Sequence, residues 1–512
     1  MVLAIKVLFL HFIYHPKIKI VILKKPIMKN LLLISVLFIS LQQLAAQQPI
    51  LEYPLPENNK VIETQSIKLK DSATLHFAIT KDRKAGKIMV KPLLVTNSGE
   101  VKKLPAFSSE KSPQMLSAHL SGDLLTIVHE EMGNYTYSVK KIYVTDIHIK
   151  ENSVSPQKEI KTADYRTVIP TDNATYFFGE RSAYFYVTKI NNAEDIIQKN
   201  YKIKDPVPAA LQTSIKKEDK SDYIYTGKPV NVGSTSASQL FLYGDVFYVT
   251  YDSDRSPETF IYALPFGAET SYEVTHKRFL SPLPKNRFQK SFLTADHLFT
   301  FSVAKKEAVI NIFDHHTETP VKTLRYAIDN FGPCHEYYSN GSKKEAINPE
   351  QFLKSFNNRK INSRKLSAPF ITVNAASDGG YVIEAGNINE TTYNYDPFFR
   401  HFIWQHQMMM QQQMQNFSRF GPDPEAYTED FFYADPEKTS LKFSLDHNFN
   451  VTQELLPARN PYFDYSALYE KANDDPSNTK GISYVELYKK IRYMVFDRAR
   501  DTFIIEEIKA NE

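Results

Sequence analysis

Residues Gln239–Tyr251 have the sequence QLFLYGDVFYVTY, two β-rich runs on either side of the dipeptide Gly244-Asp245. Val, Tyr and Phe favour strands, and a two-residue turn that contains Gly is typical of a tight hairpin. A third run, Phe260–Pro265, follows a short polar stretch. The segment therefore predicts three consecutive antiparallel strands.

The same unit of run, turn and run recurs along the chain. Its copies begin at about residues 124, 174, 239, 291, 370 and 493, a period of roughly 50–65 residues before one longer interval. A hairpin-rich unit of this period is typical of a propeller blade, so the sequence predicts an all-β fold, a β-propeller of roughly 6–8 four-stranded blades. The strands predicted most directly are Leu124–Val128, Phe241–Tyr243, Val246–Val249, His297–Phe301 and Tyr493–Phe496.

Two further regions bear on the number of blades. Near the N-terminus, Ile67–Lys70, Thr74–Ile79 and Lys87–Val95 predict strands that complete or close the ring. In the longer interval, Leu441–Ser444 and Val451–Leu456 predict the hairpin of one further blade.

The turn chemistry leaves two other architectures open. The chain has only 16 Gly and shows none of the glycine signatures of the common propeller repeats. Asn and Asp supply the turns instead, since they also tolerate the left-handed conformation. A pair of β-sandwiches and a β-helix are therefore the alternatives to the propeller.

The segment Met28–Gln47 predicts export. Lys29 precedes the apolar run Leu31–Leu41, and the small residues Ala45 and Ala46 follow it, which is the pattern of a signal peptide cleaved before Gln47. A run of this length is too short to span a bilayer, which takes roughly 20 apolar residues.

The predicted domain organisation follows from that signal. Residues 1–27 are interpreted as an over-extended start, 28–46 as the signal peptide and 47–512 as a single propeller-like domain. A membrane hairpin of Val2–Tyr14 with Leu31–Leu41 is the alternative for the first segments. The expected location is the periplasm or cell envelope of a Gram-negative bacterium, with the extracellular space as the alternative.

The charge of the chain argues against binding to nucleic acid. Residues 1–46 carry six of its 62 basic side chains and none of its 58 acidic ones, so the mature chain has a net charge of −2. A chain with this net charge has no overall electrostatic attraction to nucleic acid or anionic lipid. The sequence predicts no transmembrane segment in the mature chain.

Residues 385–437 are predicted to be an insertion that contains a helix. Asp396 can cap a helix, Pro397 suits its first position, and Gly421-Pro422 is a stop signal. The predicted helix is Pro397–Phe417, and its apolar stripe comprises Phe399, Ile403, Met410, Met414 and Phe417.

The same helix holds the candidate metal ligands. His406, Met410 and Met414 would share one helical face, and thioethers are soft ligands that suit Cu(I). A methionine stripe at this spacing is more typical of an adaptable packing surface. No cofactor is therefore predicted.

The candidate binding residues are Asp252, Asp254 and Arg255. An Asp-x-Asp spacing suits calcium or a sugar hydroxyl, but Asp and Ser are also ordinary turn residues between two strands. Two other polar segments, Asp314–His316 and Asp446–Asn450, favour a solvated turn and a hairpin turn over a metal site.

Together the signal, the recurring hairpins and the segment Leu441–Asn450, LKFSLDHNFN, are similar to those of the uncharacterised secreted β-propeller-like proteins of Bacteroidota. That resemblance implies a propeller and supplies no catalytic residues. The common catalytic motifs are absent from the sequence.

Two classes of function remain open at the level of sequence. The first is a non-enzymatic binding or scaffold protein of the envelope, whose partner is another envelope protein or a glycan. The alternative is a carbohydrate- or peptide-active hydrolase or lyase with carboxylates at the propeller axis.

Overall fold

The computed structural model describes most of the chain after residue 48. The described residues are 49–70, 73–131, 141–161, 165, 167–181, 183–204, 222–223, 238–253, 257–267, 271–283, 288–356, 365–391, 437–459, 465–472 and 479–510. The predicted signal peptide and the predicted helix Pro397–Phe417 lie outside them.

The described strands form seven sheets, each of four or five strands that are paired almost entirely antiparallel. We call these sheets blades 1 to 7. The first strand of the chain is β1, Leu51–Pro54. Blade 1 consists of β2 Asn59–Lys68, β3 Thr74–Asp82, β4 Ile88–Val95, β5 Val101–Lys103 and β6 Phe107–Ser109. Blade 2 consists of β7 Pro113–Ser121, β8 Leu124–Glu131, β9 Lys141–His148, β10 Ser153–Val154 and β11 Lys158–Ile160.

Blades 3 to 5 follow along the chain. Blade 3 contains β12 Thr167–Pro170, β13 Thr175–Arg181, β14 Tyr184–Ile190 and β15 Ile196–Ile203. Blade 4 contains β16 Asp222–Tyr223, β17 Ser238–Tyr243, β18 Val246–Asp252 and β19 Glu258–Pro265. After these come β20 Ser271–Val274, which pairs parallel to β15 of blade 3, and β21 His276–Leu280, which completes blade 4. Blade 5 contains β22 Phe288–Leu293, β23 His297–Val303, β24 Glu307–Asp314 and β25 Thr319–Ala327.

The last two blades include two short helices. Blade 6 contains β26 Glu336–Ser339, β27 Ser342–Lys344, β28 Lys365–Ala375, β29 Tyr381–Thr391 and β30 Glu437–Leu445, with α1 Pro349–Ser355 between β27 and β28. Blade 7 follows α2 Ser466–Ala472 and contains β31 Thr479–Leu487, β32 Lys490–Asp497 and β33 Thr502–Lys509. The N-terminal strand β1 is its fourth strand, because Leu51 pairs with Ile505 and Tyr53 with Phe503.

The blades pack face to face because their strands are apolar on both faces. In β32, Met494 is buried with residues of blade 1, while Tyr493 and Val495 face the other way and pack with Leu468 of α2. Similar buried clusters join blades 1 and 2, 2 and 3, 3 and 4, and then 4, 5 and 6. Each fully buried Leu, Ile or Phe side chain in them contributes about 1.5–3 kcal/mol.

The described residues form an all-β propeller with seven blades, within the range of roughly 6–8 that the sequence predicts. The strands predicted most directly are confirmed, and the predicted N-terminal strands belong to blade 1. Two other expectations are wrong, namely a further blade at Leu441–Ser444 and the boundaries of the insertion. Leu441–Ser444 lies in β30, which pairs with β29 inside blade 6, so these residues do not form a further blade.

The predicted boundaries of the insertion also change. Residues 385–391 belong to β29 and residue 437 begins β30. These two strands stay paired as far as Asn389 and Glu437. The connection between them is therefore 392–436, which lies outside the described residues.

Candidate functional site

Blade 6 begins with its outer strands and ends with its inner and middle strands. Its outer strands β26 and β27 come before its inner strand β28 in the chain, and α1 lies between them. The β26–β27 turn, the end of α1, the last residues of β29 and the first residues of β30 lie at one end of the blade. Gly341 N donates to Lys438 O at 3.0 Å, and Asn387 Nδ2 donates to Ser355 O at 3.0 Å. We call this the insertion end of blade 6.

A cavity of about 640 Å³ opens at the insertion end. Its apolar lining comes from Tyr337, Ile347 and Pro349, and its charged lining is Lys343, Lys344 and Glu345. The exposed fraction of Ile347 is 39%, an unusual value for a large apolar side chain. The cavity therefore offers solvent an apolar surface and charges of both signs, with two lysines and one glutamate.

The wall of the cavity is fixed by hydrogen bonds. Asn348 caps α1, because its side-chain oxygen accepts from Gln351 N at 3.0 Å. The Gln351 amide in turn donates to Ser339 Oγ at 2.8 Å, which ties α1 to β26. Pro349 suits the first position of the helix, because its nitrogen has no proton to leave unpaired. The cavity is thus preformed in the folded chain.

A row of charged residues crosses one face of the same blade. Glu336 pairs with Lys442, and Lys442 pairs with Glu384, so these three side chains share one face of adjacent strands. Lys343 Nζ lies 2.6 Å from Glu336 Oε1, and Lys438 Nζ lies 2.8 Å from Glu384 Oε1.

A tyrosine joins the two halves of this row. Tyr338 donates to Glu336 at 3.1 Å, and Lys438 Nζ lies 5.1 Å from the centre of its ring. Burial opposes ionisation of Glu336, yet the hydrogen bonds from Lys343 and Tyr338 hold the pKa of Glu336 below its usual value. Burial and the adjacent Glu336 charge raise the pKa of Tyr338 to about 12. The face therefore carries paired, fixed charges at neutral pH.

A half-buried acid, Glu63, lies on the first strand of blade 1. Burial raises the pKa of Glu63 to about 8, although Gln65 and Ser112 both donate to its carboxyl group. Its strand is bulged between Val61 and Glu63. Bulges re-aim side chains and are common beside functional sites.

The sequence-based candidate Asp252 is a structural residue. Its carboxylate accepts from Thr259 Oγ1 and Ser291 Oγ, both at 2.7 Å, and from Ser291 N at 3.0 Å. Thr259 lies in blade 4 and Ser291 in blade 5, so the fully buried carboxylate joins two blades. Burial raises its pKa, and the nearby Lys290 opposes that shift. Asp254 and Arg255 lie outside the described residues.

The segment Asp314–His316 is only partly the solvated turn that its sequence predicts. Asp314 Oδ1 accepts from the backbone of His316 and Thr317, as in an exposed turn. His315 is buried, however, with its Nε2 2.8 Å from Ala295 O. The two histidine rings lie 4.0 Å apart between centroids. Asp446 forms the predicted turn, accepting from Asn448 N and Asn450 N.

The predicted metal ligands His406, Met410 and Met414 lie outside the described residues. Within the described part of the chain, no group of three or more His, Cys, Asp or Glu side chains is arranged to hold a metal ion. The same residues contain no helix that is both long and apolar enough to cross a membrane.

The residues of the insertion end were not predicted from the sequence. The run Ser342–Glu345, with two adjacent lysines and a glutamate ahead of Asn348-Pro349, was the available signal. A helix-cap pattern after a short charged strand indicates an exposed corner. Nothing in the sequence indicates the raised pKa of Glu63, because its neighbours Gln65 and Ser112 are ordinary polar residues.

Comparison with known proteins gives only remote likenesses. The sequence matches no family model and no curated protein. The β-propeller domain of the Trilobed protease from Pyrococcus furiosus aligns with a TM-score of 0.30 and 8% identity, over 88% of this chain and 97% of that one. A prolyl endopeptidase structure aligns with a TM-score of 0.21 and 10% identity, over 66% of this chain and 47% of that one. These similarities carry no argument about function, and the fold rests on the strand pairing itself.

Proposed function

We propose that the chain is an exported binding protein of the bacterial cell envelope, and that its partner docks at the insertion end of blade 6. The observation that carries this proposal is the open, preformed cavity of about 640 Å³ beside β27. Preformed cavities that combine apolar surface with a few polar groups are the usual sites of recognition.

Three properties of the cavity support a binding role. Its wall is held by the Asn348 cap and the Gln351 hydrogen bond, so little order is lost when a partner binds. Its floor exposes Ile347, whose burial by a partner is favourable. Its lining residues Lys343, Lys344 and Glu345 together carry a net positive charge, which selects among partners and steers their approach.

Export and envelope location are part of the proposal and rest on the sequence of Met28–Gln47. Cell fractionation followed by N-terminal sequencing tests this part. A mature chain that begins at or near Gln47 in the periplasmic fraction supports export, and a cytoplasmic chain that begins at Met1 contradicts it.

The binding role is tested by photocrosslinking in intact cells. A photoreactive amino acid replaces Ile347 at the cavity, and the matched control carries it at Val321, an exposed apolar residue of β25 in blade 5. We expect one envelope protein to be crosslinked repeatedly through position 347 and not through 321. Equal crosslinking at both positions, or none at 347, would contradict the proposed docking site.

A further inference from the structure

The wall of the cavity includes a strand that lies at the edge of its sheet. The order of strands in blade 6 is β27-β26-β30-β29-β28, so within the described chain β27 pairs only with β26. All three of its residues, Ser342 to Lys344, are exposed. The outer edge of such a strand presents N–H and C=O groups that an extended peptide can pair with.

The two lysines of this strand point to opposite faces of the sheet. Lys343 pairs with Tyr338 and is held in place by Glu336, 2.6 Å away. Lys344 pairs with Tyr337, and both residues line the cavity together with Glu345, the next residue in the chain. A strand added beside β27 would therefore meet positive charge on both of its own faces.

Lysines on an edge strand also have a purely protective explanation. Lysines on an edge strand commonly prevent a second sheet from pairing with that edge, and their charge alone is enough for this protection. The cavity beside β27 is not explained in that way, since protection needs neither an apolar floor of Tyr337, Ile347 and Pro349 nor a wall fixed by Asn348. The combination of edge, charge and apolar cavity is what a peptide-binding groove contains.

We infer that the occupant of this site is an extended acidic segment of a partner protein, which adds to blade 6 as a strand alongside β27. Its backbone pairs with the outer edge of β27, its carboxylates meet Lys343 and Lys344, and an apolar side chain covers Ile347 and Pro349. This inference rests on the proposed binding function and specifies the chemistry of its partner.

The test is fluorescence anisotropy with the full mature chain and a labelled peptide of alternating glutamate and valine. Two changes separate backbone pairing from simple charge attraction. The first is N-methylation of the valines, which removes their N–H donors, and the second is Lys344→Glu. The matched control is Lys354→Glu, an exposed lysine of α1 that is paired with Glu350 at 2.8 Å.

We expect binding to weaken about tenfold or more with the N-methylated peptide and with Lys344→Glu, and to change little with Lys354→Glu. Equal binding of the N-methylated peptide, or equal binding by Lys344→Glu, would overturn the inference. So would absence of peptide binding, or binding only to polygalacturonate as an anionic glycan probe. If the peptide fails while crosslinking through position 347 persists, the docking site stands and only the nature of its occupant is wrong.

Discussion

Buried polar side chains in this protein join one blade to the next. Asp252 joins blades 4 and 5, and Asp146 joins blades 2 and 3 by accepting from Thr126 and from Ala193 N. The fully buried Arg492 of blade 7 donates to Thr74 Oγ1 of blade 1 at 2.9 Å. Its positive charge is paired with Glu507, whose Oε2 lies 2.9 Å from Arg492 Nη2. Burial of a charge is tolerated only when it is paired and hydrogen-bonded, so these residues fix how the blades fit together.

Glu63 is a half-buried acid whose environment disfavours its charge. Its folded pKa of about 8 lies above the ordinary value of 4.5, so the folded state prefers the protonated form. A raised folded pKa gives stability that is fully present below pH 4.5 and is lost as the pH rises to 8.

We predict that Glu63→Gln removes this loss. Glutamine keeps the acceptor oxygen that Gln65 and Ser112 donate to, but it cannot ionise. The variant should match the wild type near pH 4.5 and exceed it in stability at pH 9, as measured by urea unfolding across that range. Glu486→Gln, at an exposed acid of β31, is the control. A stability difference that does not vary with pH would contradict the prediction.

At the scale of elements, blade 6 depends on an unusually close pair of strands. A Cβ atom built on Gly386 of β29 would lie 2.3 Å from Thr439 O and 2.6 Å from Ser440 Cα of β30. Real Cβ atoms do not approach backbone so closely, so a side chain here must push the two strands apart. These strands also carry Glu384 and Lys438 of the charged row and lead to the 392–436 connection.

We predict that Gly386→Ala destabilises the protein by about 2 kcal/mol or more, because the backbone of β30 cannot yield as a flexible side chain would. The control is Gly122→Asn, at a turn where nothing lies within 4 Å and where Asn tolerates the positive φ of 61°. Urea denaturation midpoints of both variants provide the measurement. A midpoint for Gly386→Ala equal to that of the wild type would show that the strands adjust freely.

At the scale of the whole molecule, one short strand joins the first and last blades. β1 forms the outer edge of blade 7 by pairing with β33. Tyr53 anchors it, with its ring 6.3 Å from that of Phe503 and with Lys91 Nζ 3.0 Å from its hydroxyl group. The contact with Lys91 of β4 also links β1 to blade 1, so β1 holds the first and last blades together.

We predict that a chain beginning at residue 56 unfolds at a lower temperature than one beginning at residue 47 and associates in solution. Removal of β1 exposes the edge of β33 and part of the cluster around Phe503 and Ile505, and free strand edges pair with other chains. Thermal unfolding and light scattering provide the measurements. A synthetic peptide of residues 47–56 should restore both properties, and an unchanged monomer would contradict the prediction.

The sequence by itself determined the class of fold and most of its strands. Alternating runs of Phe, Tyr, Val and Ile bounded by turns such as Gly244-Asp245 can bury their side chains only as antiparallel strands, and their period gives the blades. These signals are local, because each depends on residues within one hairpin. They located Leu124–Val128 and Tyr493–Phe496 correctly.

Only the tertiary structure decided which strands share a blade and which polar residues meet. Leu441–Ser444 has the pattern of a new hairpin, but its partner β29 lies more than fifty residues earlier. The sequence around Asp252 is typical of a ligand-binding turn. In the structure its carboxylate accepts a hydrogen bond from Ser291 of the next blade and so links two blades. The cavity at β27 likewise depends on contacts between β26 and α1. Pairings across such distances depend on the packing of whole blades, which no local pattern contains.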